Sequence, residues 1–196
     1  LAEKNWFPSA KSIESIVLKN KNTNYLLFIN SPNNPSGQIC ENLEEIANIV
    51  NKYNITVLSD EIYSELSFSN EYKSIANFCP ERTIVSNGLS KWCAAGGWRL
   101  GHFVIPNELT KFKNSLKVLA SETFSSVSAP IQYAAIAAYQ NDHSNYLNNS
   151  RKILKLVGEY VYENLRSNKI LINKPQGGFY IMPEFLDMKF KNSEEM

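Results

Sequence analysis

"NYLLFINSPNNPSGQICENLEEIANIVNKYNITVLSD", residues 24–60, decides the fold. Its first part, "NYLLFIN" (24–30), is a short apolar run that ends in "SPNNPSG", a dense cluster of turn formers. Such a run reads as a buried strand leaving into a loop. "ENLEEIANIVNKYN" (41–54) then places Leu43, Ile46, Ala47, Val50 and Tyr53 on one helical face. Glu44 and Glu45 stand near its start, where acidic side chains complement the helix dipole. "ITVLSD" (55–60) is a second buried strand. Strand, helix and strand in that order argue an α/β protein with a largely parallel sheet, covered on both faces.

The pattern continues outward. "RTIVSN" (82–87) reads as a third strand and "GHFVIP" (101–106) as a fourth, stopped by Pro106. Helical spacing predicts helices over 107–120, 127–141 and 144–168. In the last of these, Leu147, Leu154, Val157, Val161 and Leu165 face one way over a polar opposite side. "KILINKP" and "GGFYIMP" look like two strands of a different, smaller unit. The Asn- and Lys-rich stretch "LKNKNTN" reads as a surface turn, and no internal repeat is visible.

Bulk composition bounds the function classes. The 196 residues are 43% hydrophobic and 20% charged, enough to bury a core. Twenty Lys and Arg against nineteen Asp and Glu give a net charge of +1, with no nucleic-acid or membrane footprint. Cys40, Cys79 and Cys93 are an odd number at wide spacing and read as thiols of a reducing compartment. With two distant histidines, His102 and His143, no metal site is expected. There is no apolar run of membrane-spanning length and no signal-peptide core, which agrees weakly with a cytoplasmic protein. Both ends read as cut: the chain lacks an initiator Met and stops at "KFKNSEEM", soon after an apparent strand.

In doubly covered parallel sheets, ligands gather beyond the carboxyl ends of the strands. "SPNNPSG", "SDEIY" and "SNGLSK" all fall there, after the first, second and third strands. Lys91, in the last cluster, is a candidate nucleophile, because amines that form Schiff bases need partial desolvation or a cationic neighbour. Arg99 follows eight residues later. Read alone, Lys91 is more often a surface lysine with its stem on apolar residues. Asp60 could hold a cation or cap a short helical turn. Asn34 before Pro35 is ordinary turn chemistry, and Arg99 in "GGWRLG" could grip an anion, with Gly96 and Gly97 allowing close backbone approach.

Order and spacing make these signals specific. "NPSG", then "DEIY", then "SK", then "GGWRLG" resembles the core signature of the class I and II aminotransferases, the fold-type I pyridoxal-phosphate enzymes. "PIQYAAIAAY" and "PQGGFYIMP" also look like later stretches of that family, so the resemblance covers essentially the whole chain.

The resemblance implies the following. Lys91 forms a Schiff base with pyridoxal 5'-phosphate and then moves the substrate's α-proton. Asp60 pairs with the protonated ring nitrogen. Tyr63 and Asn34 hydrogen-bond the ring's phenolic oxygen, and Arg99, helped by Ser90, binds the phosphate. Residues 1–145 would be the second part of the cofactor-binding large domain. Residues 146–196 would be a connecting helix and the start of a small α+β domain. The expected activity is transfer of an amino group between an amino acid and a 2-oxo acid, by a homodimer. Two alternatives stay open. One is a fold-type I lyase, a group that includes carbon–sulfur lyases and aminocyclopropane-carboxylate synthases and carries the same elements; the other is an inactive truncated fragment that binds no cofactor. One departure stands out: many family members have a phosphate-binding serine where this chain has Gly88.

Overall fold

A computed structural model describes residues 6–20, 23–69 and 71–186. Four strands form the main sheet: β1 (Leu26–Asn30), β2 (Thr56–Asp60), β3 (Thr83–Gly88) and β4 (Gly101–Val104). They lie in the order β1-β2-β3-β4. The first three are parallel, with Asn30 opposite Asp60 and Asp60 opposite Ser86. β4 is antiparallel to β3, pairing Gly88 with Gly101. The sheet is therefore largely parallel, with one reversed edge.

Helix α1 (Ala10–Lys19) precedes the sheet and was not foreseen. Ser9 caps it, its hydroxyl accepting from the Ser12 N–H at 3.2 Å, and Ile13 and Val17 are its buried anchors. Helix α2 (Leu43–Tyr53) is the crossover between β1 and β2. It buries Leu43, Ile46, Ala47 and Val50, and Asn54 ends it in a left-handed turn. Together with Ile29, Ile55, Val57 and Ile75, these residues form the first core.

Helices α3 (Thr110–Thr123), α4 (Ala129–Gln140) and α5 (Ser144–Leu165) follow the sheet. A short 3-10 turn at Asn107–Leu109 takes the place of the expected first helical turn after Pro106. Trp92 is the centre of a second core. It is 5% exposed and packs beside Tyr139 and His143, with Leu89, Leu100 and Ala135 in the same cluster.

The small unit differs from the sequence expectation. Strand β5 (Ile170–Ile172) pairs antiparallel with β6 (Pro183–Phe185), so "GGFYIMP" is not itself a strand. Its start is bound elsewhere. The Gln176 and Gly177 N–H groups donate to the Gly37 carbonyl at 2.8 and 3.1 Å, and the Gly178 N–H donates to Leu66 at 3.0 Å. With these N–H groups engaged by loops of the main unit, the start of the segment cannot join the β5–β6 ladder. The closing "KFKNSEEM" lies outside the described residues, and "LKNKNTN" lies partly outside them. No helix among the described residues is long and apolar enough to cross a membrane.

Candidate active site

The carboxyl ends of β1, β2 and β3 carry Asn30, Asp60 and Ser86–Gly88, and each strand continues into a loop that bears candidate residues. Asn30 organises the first. Its amide nitrogen donates to the Asp60 carbonyl at 3.1 Å, and its Oδ1 accepts the Asn34 N–H at 2.7 Å. Asn33 closes the turn by accepting the Ser36 hydroxyl at 2.7 Å. Gly37 completes it at φ +68°. A β-carbon there would run into the Tyr180 carbonyl, so glycine is required both by conformation and by the close approach of residues 174–180.

Asp60 ends β2 half-buried. Its Oδ1 accepts the Ile62 N–H at 3.3 Å, so it does cap the short turn that follows. It also lines two cavities, one of about 510 Å³ with Asn34, Tyr63 and Lys91, and one of about 240 Å³ with Ser90 and Arg99. Cap and cavity wall are thus one residue. Burial holds its carboxyl above the ordinary range, with the Ile62 N–H and the Lys91 charge pulling the other way. Next to it, Glu61 is buried and accepts the hydroxyls of Ser59 at 2.9 Å and Ser74 at 2.5 Å. The Tyr72 hydroxyl ties the same region to the first loop by donating to the Ser31 carbonyl at 3.0 Å.

Lys91 stands in the turn after β3, between two buried anchors, Leu89 at 1% exposure and Trp92 at 5%. The turn is closed by the Ala95 N–H donating to Leu89 and the Leu89 N–H donating to Leu100, both at 3.3 Å. The lysine is therefore fixed at its root. Its Nζ lies 5.6 Å from the Tyr63 ring centre and 5.5 Å from that of Phe179, within cation–π range. Tyr63 is buried and meets Phe179 and Tyr180 edge-on, with ring centres 5.4 and 5.8 Å away. Burial pushes its phenol well above the usual value, Tyr180 adds to the effect, and the Asn34 side chain opposes it.

Arg99 is exposed and left-handed, at φ 57°, with its guanidinium donating to the Gly96 carbonyl at 2.7 Å. Gly97 has open space where a β-carbon would sit, so the chain itself makes no close approach there. Gly88 is different: a β-carbon would lie 2.6 Å from the Leu100 carbonyl oxygen. In this structure the entry to β4 passes too close to residue 88 for a side chain there.

The structure thus groups Asn34, Asp60, Tyr63 and Lys91 in one cavity and Asp60, Ser90 and Arg99 in its neighbour. Sequence reasoning missed Asn30, Glu61, Phe179 and Tyr180. Only the glycine pair before Phe179 hinted at a close approach. The three cysteines are free, and burial raises the Cys40 thiol to about 11. Among the described residues no cluster of metal-ligating side chains occurs.

Known proteins resemble this chain in sequence and fold. A probable aspartate aminotransferase of Methanocaldococcus jannaschii is 32% identical over 87% of this chain and 45% of its own length. A probable N-acetyl-LL-diaminopimelate aminotransferase of Bacillus subtilis is 39% identical over 78% of the chain and 38% of its own length. Among solved structures, an alanine aminotransferase from Pyrococcus furiosus superposes with a TM-score of 0.85 at 35% identity, over 100% of this chain and 50% of that one. The chain therefore spans about half the length of these relatives, or less. The family model for aminotransferase class I and II matches residues 1–191, and the chain belongs to that family.

Proposed function

We propose that this chain carries the lysine-bearing half of a pyridoxal-phosphate site that transfers an amino group between an amino acid and a 2-oxo acid. The observation that carries the reading is the donor set around Asp60. An amine, a half-buried carboxylate, a phenol and an amide face one cavity, and a guanidinium and a hydroxyl face the cavity beside it. That set fits pyridoxal phosphate group by group. Lys91 Nζ suits the aldehyde, Asp60 the ring nitrogen, Asn34 and Tyr63 the phenolic oxygen, and Ser90 and Arg99 the phosphate. When bound, the cofactor supplies an electron sink that lets a proton leave the carbon bearing the amino group.

The chain's own residues do the rest. Lys91 would hold the cofactor covalently until the donor's amine displaces it, and the freed amine would then take or return the proton at the donor's α-carbon. Asp60 keeps the ring nitrogen protonated, and a cation there offsets the burial that raises the Asp60 carboxyl. The rings of Tyr63 and Phe179 both lie within cation–π range of the Lys91 amine. The division of the chain at residues 145 and 146, and pairing of two copies, belong to the same reading. The relatives' names favour transfer of the amino group over elimination, since those given above are all called aminotransferases.

The test is to add pyridoxal phosphate, record the visible band, reduce with borohydride and map the modified peptide. The expected adduct is on Lys91, lost in Lys91→Ala and weakened in Asp60→Ala. An amino acid should bleach the band and a 2-oxo acid should restore it. Adducts scattered over surface lysines would overturn the site, and pyruvate with ammonia as products would favour a lyase.

A further inference from the structure

One short segment touches both walls of the larger site cavity. Asn34, on the loop after β1, and Asp60, at the end of β2, line that cavity. Residues 72–74 reach the chain beside each of them. The Tyr72 hydroxyl donates to the Ser31 carbonyl at 3.0 Å, three residues before Asn34. The Ser74 hydroxyl donates to Glu61 Oε1 at 2.5 Å, one residue after Asp60. Glu61 is buried, at 6% exposure, and takes a second hydroxyl from Ser59 at 2.9 Å. Ser59 and Glu61 flank Asp60 and are bonded to each other, so they share the face opposite to it. The Glu61 carboxylate also faces Tyr72. Burial first, and the Glu61 charge next, hold the Tyr72 phenol far above its usual value.

We propose that Tyr72, anchored through Ser74 and Glu61, is a positioning residue of the site: it clips the Asn34 loop to the end of β2 and so sets where the Asn34 amide stands in the cavity. The inference rests on the pyridoxal-phosphate reading for what Asn34 is placed against, the phenolic oxygen of the cofactor. The Glu61 end is the firm anchor, because hydrogen bonds to a carboxylate are roughly twice as strong as neutral ones. The Ser31 end carries the placement forward. Ser31 is buried, its N–H donates to the Asp60 carbonyl at 3.2 Å, and its Oγ accepts the Cys40 N–H at 3.0 Å. With its carbonyl taken by Tyr72, the residue is held by all its polar groups, and the loop leaves it in one direction. Asn34 then bonds back through its N–H to Asn30 Oδ1 at 2.7 Å.

Tyr72→Phe deletes the hydroxyl and keeps the ring, and Ser74→Ala deletes the bond at the other end. Tyr53→Phe is the control, since its hydroxyl bonds Glu14 at 2.8 Å between α1 and α2. Amide hydrogen exchange is read first, on the cofactor-free protein. Tyr72→Phe should speed exchange of the Asn34 amide by at least about threefold, and Tyr53→Phe should leave it unchanged. The second reading is a pH titration of the visible band after loading with pyridoxal phosphate. The phenolic oxygen bears its full charge once the nitrogen beside it loses its proton, so a donor such as Asn34 favours the deprotonated form. Loosening Asn34 should therefore raise the midpoint, by about 0.5 pH unit for the same threefold effect. Asp60, Tyr63 and Lys91, the titratable groups of the cavity, are kept in every variant. Ser74→Ala should move both readings the same way. Unchanged exchange at Asn34 in Tyr72→Phe overturns the clip. Faster exchange with an unmoved midpoint overturns its role toward the cofactor, and so does an equal shift in Tyr53→Phe. No Lys91 band in the parent sinks the pyridoxal-phosphate reading and this role with it, a failure that the exchange comparison keeps apart from failure of the clip.

Discussion

At the scale of single residues, the half-buried charge of Asp60 works against stability. Folding raises its pKa above the ordinary 3.8, chiefly through burial, so ionising it disfavours the folded state. The penalty is absent while the carboxyl is protonated in both states. It grows as pH rises past 3.8 and is complete above the folded value. Asp60→Asn keeps the Oδ1 that accepts the Ile62 N–H but removes the charge. In the cofactor-free protein it should therefore raise the melting midpoint near pH 7 and do little near pH 4. The gain should be about 0.5 kcal/mol, because the carboxyl is only half withdrawn from screening solvent. Equal gains at both values would mean that burial of the charge is not the cause. The same variant should weaken the Lys91 adduct. Lys91, Asp60 and Arg99 could be named as candidates because their spacing along the chain is itself a pattern, and they line two adjoining cavities. Asn30 was not, since its bond to Asp60 joins residues thirty apart and leaves no local trace.

At the scale of elements, α2 and the strands were legible because each has one clean period or one unbroken apolar run. Helix α1 was not. Ile13 and Val17 alone face the core, while Ile16 and Leu18 are exposed and blur the period. "GGFYIMP" failed for another reason: its backbone partners are Gly37 and Leu66, which no periodicity can announce. That docking brings Phe179 and Tyr180 to the site. Side-chain bonds reinforce it, with Gln38 donating to the Lys174 carbonyl at 2.9 Å and the Ile39 N–H donating to the Gln176 side chain at 2.8 Å. Gly37→Ala attacks this contact, because it combines a left-handed position with a collision against the Tyr180 carbonyl. It should cost about 2 kcal/mol in chemical denaturation. It should also speed chymotryptic cleavage at Phe179 and Tyr180. A variant as stable and as protease-resistant as the parent would show that the segment is held by other contacts.

At the scale of the whole molecule, the α/β order was legible and the distribution of apolar surface was not. Among the described residues β1 pairs with β2 alone, so its outer edge presents backbone groups with no strand beside them. Leu26 and Phe28 are 61% and 60% exposed on that strand. Phe28 lines the larger site cavity, but Leu26 does not, which separates the edge from the site. An exposed apolar edge with free donors and acceptors is a template for a second strand. The purified chain should therefore associate as its concentration rises, as read by sedimentation or light scattering. Leu26→Lys places a charge on the edge and should reduce that association. Its stability should stay within about 0.5 kcal/mol of the parent, because the side chain makes little of the core. The Lys91 adduct should form as before, since no bond of the site passes through Leu26. If association is unchanged while the adduct persists, the sticky surface is the helical face of α3 to α5, where Val118, Tyr133, Ile153 and Tyr160 are also exposed. A charge at Tyr160 should then have the effect that a charge at Leu26 lacked.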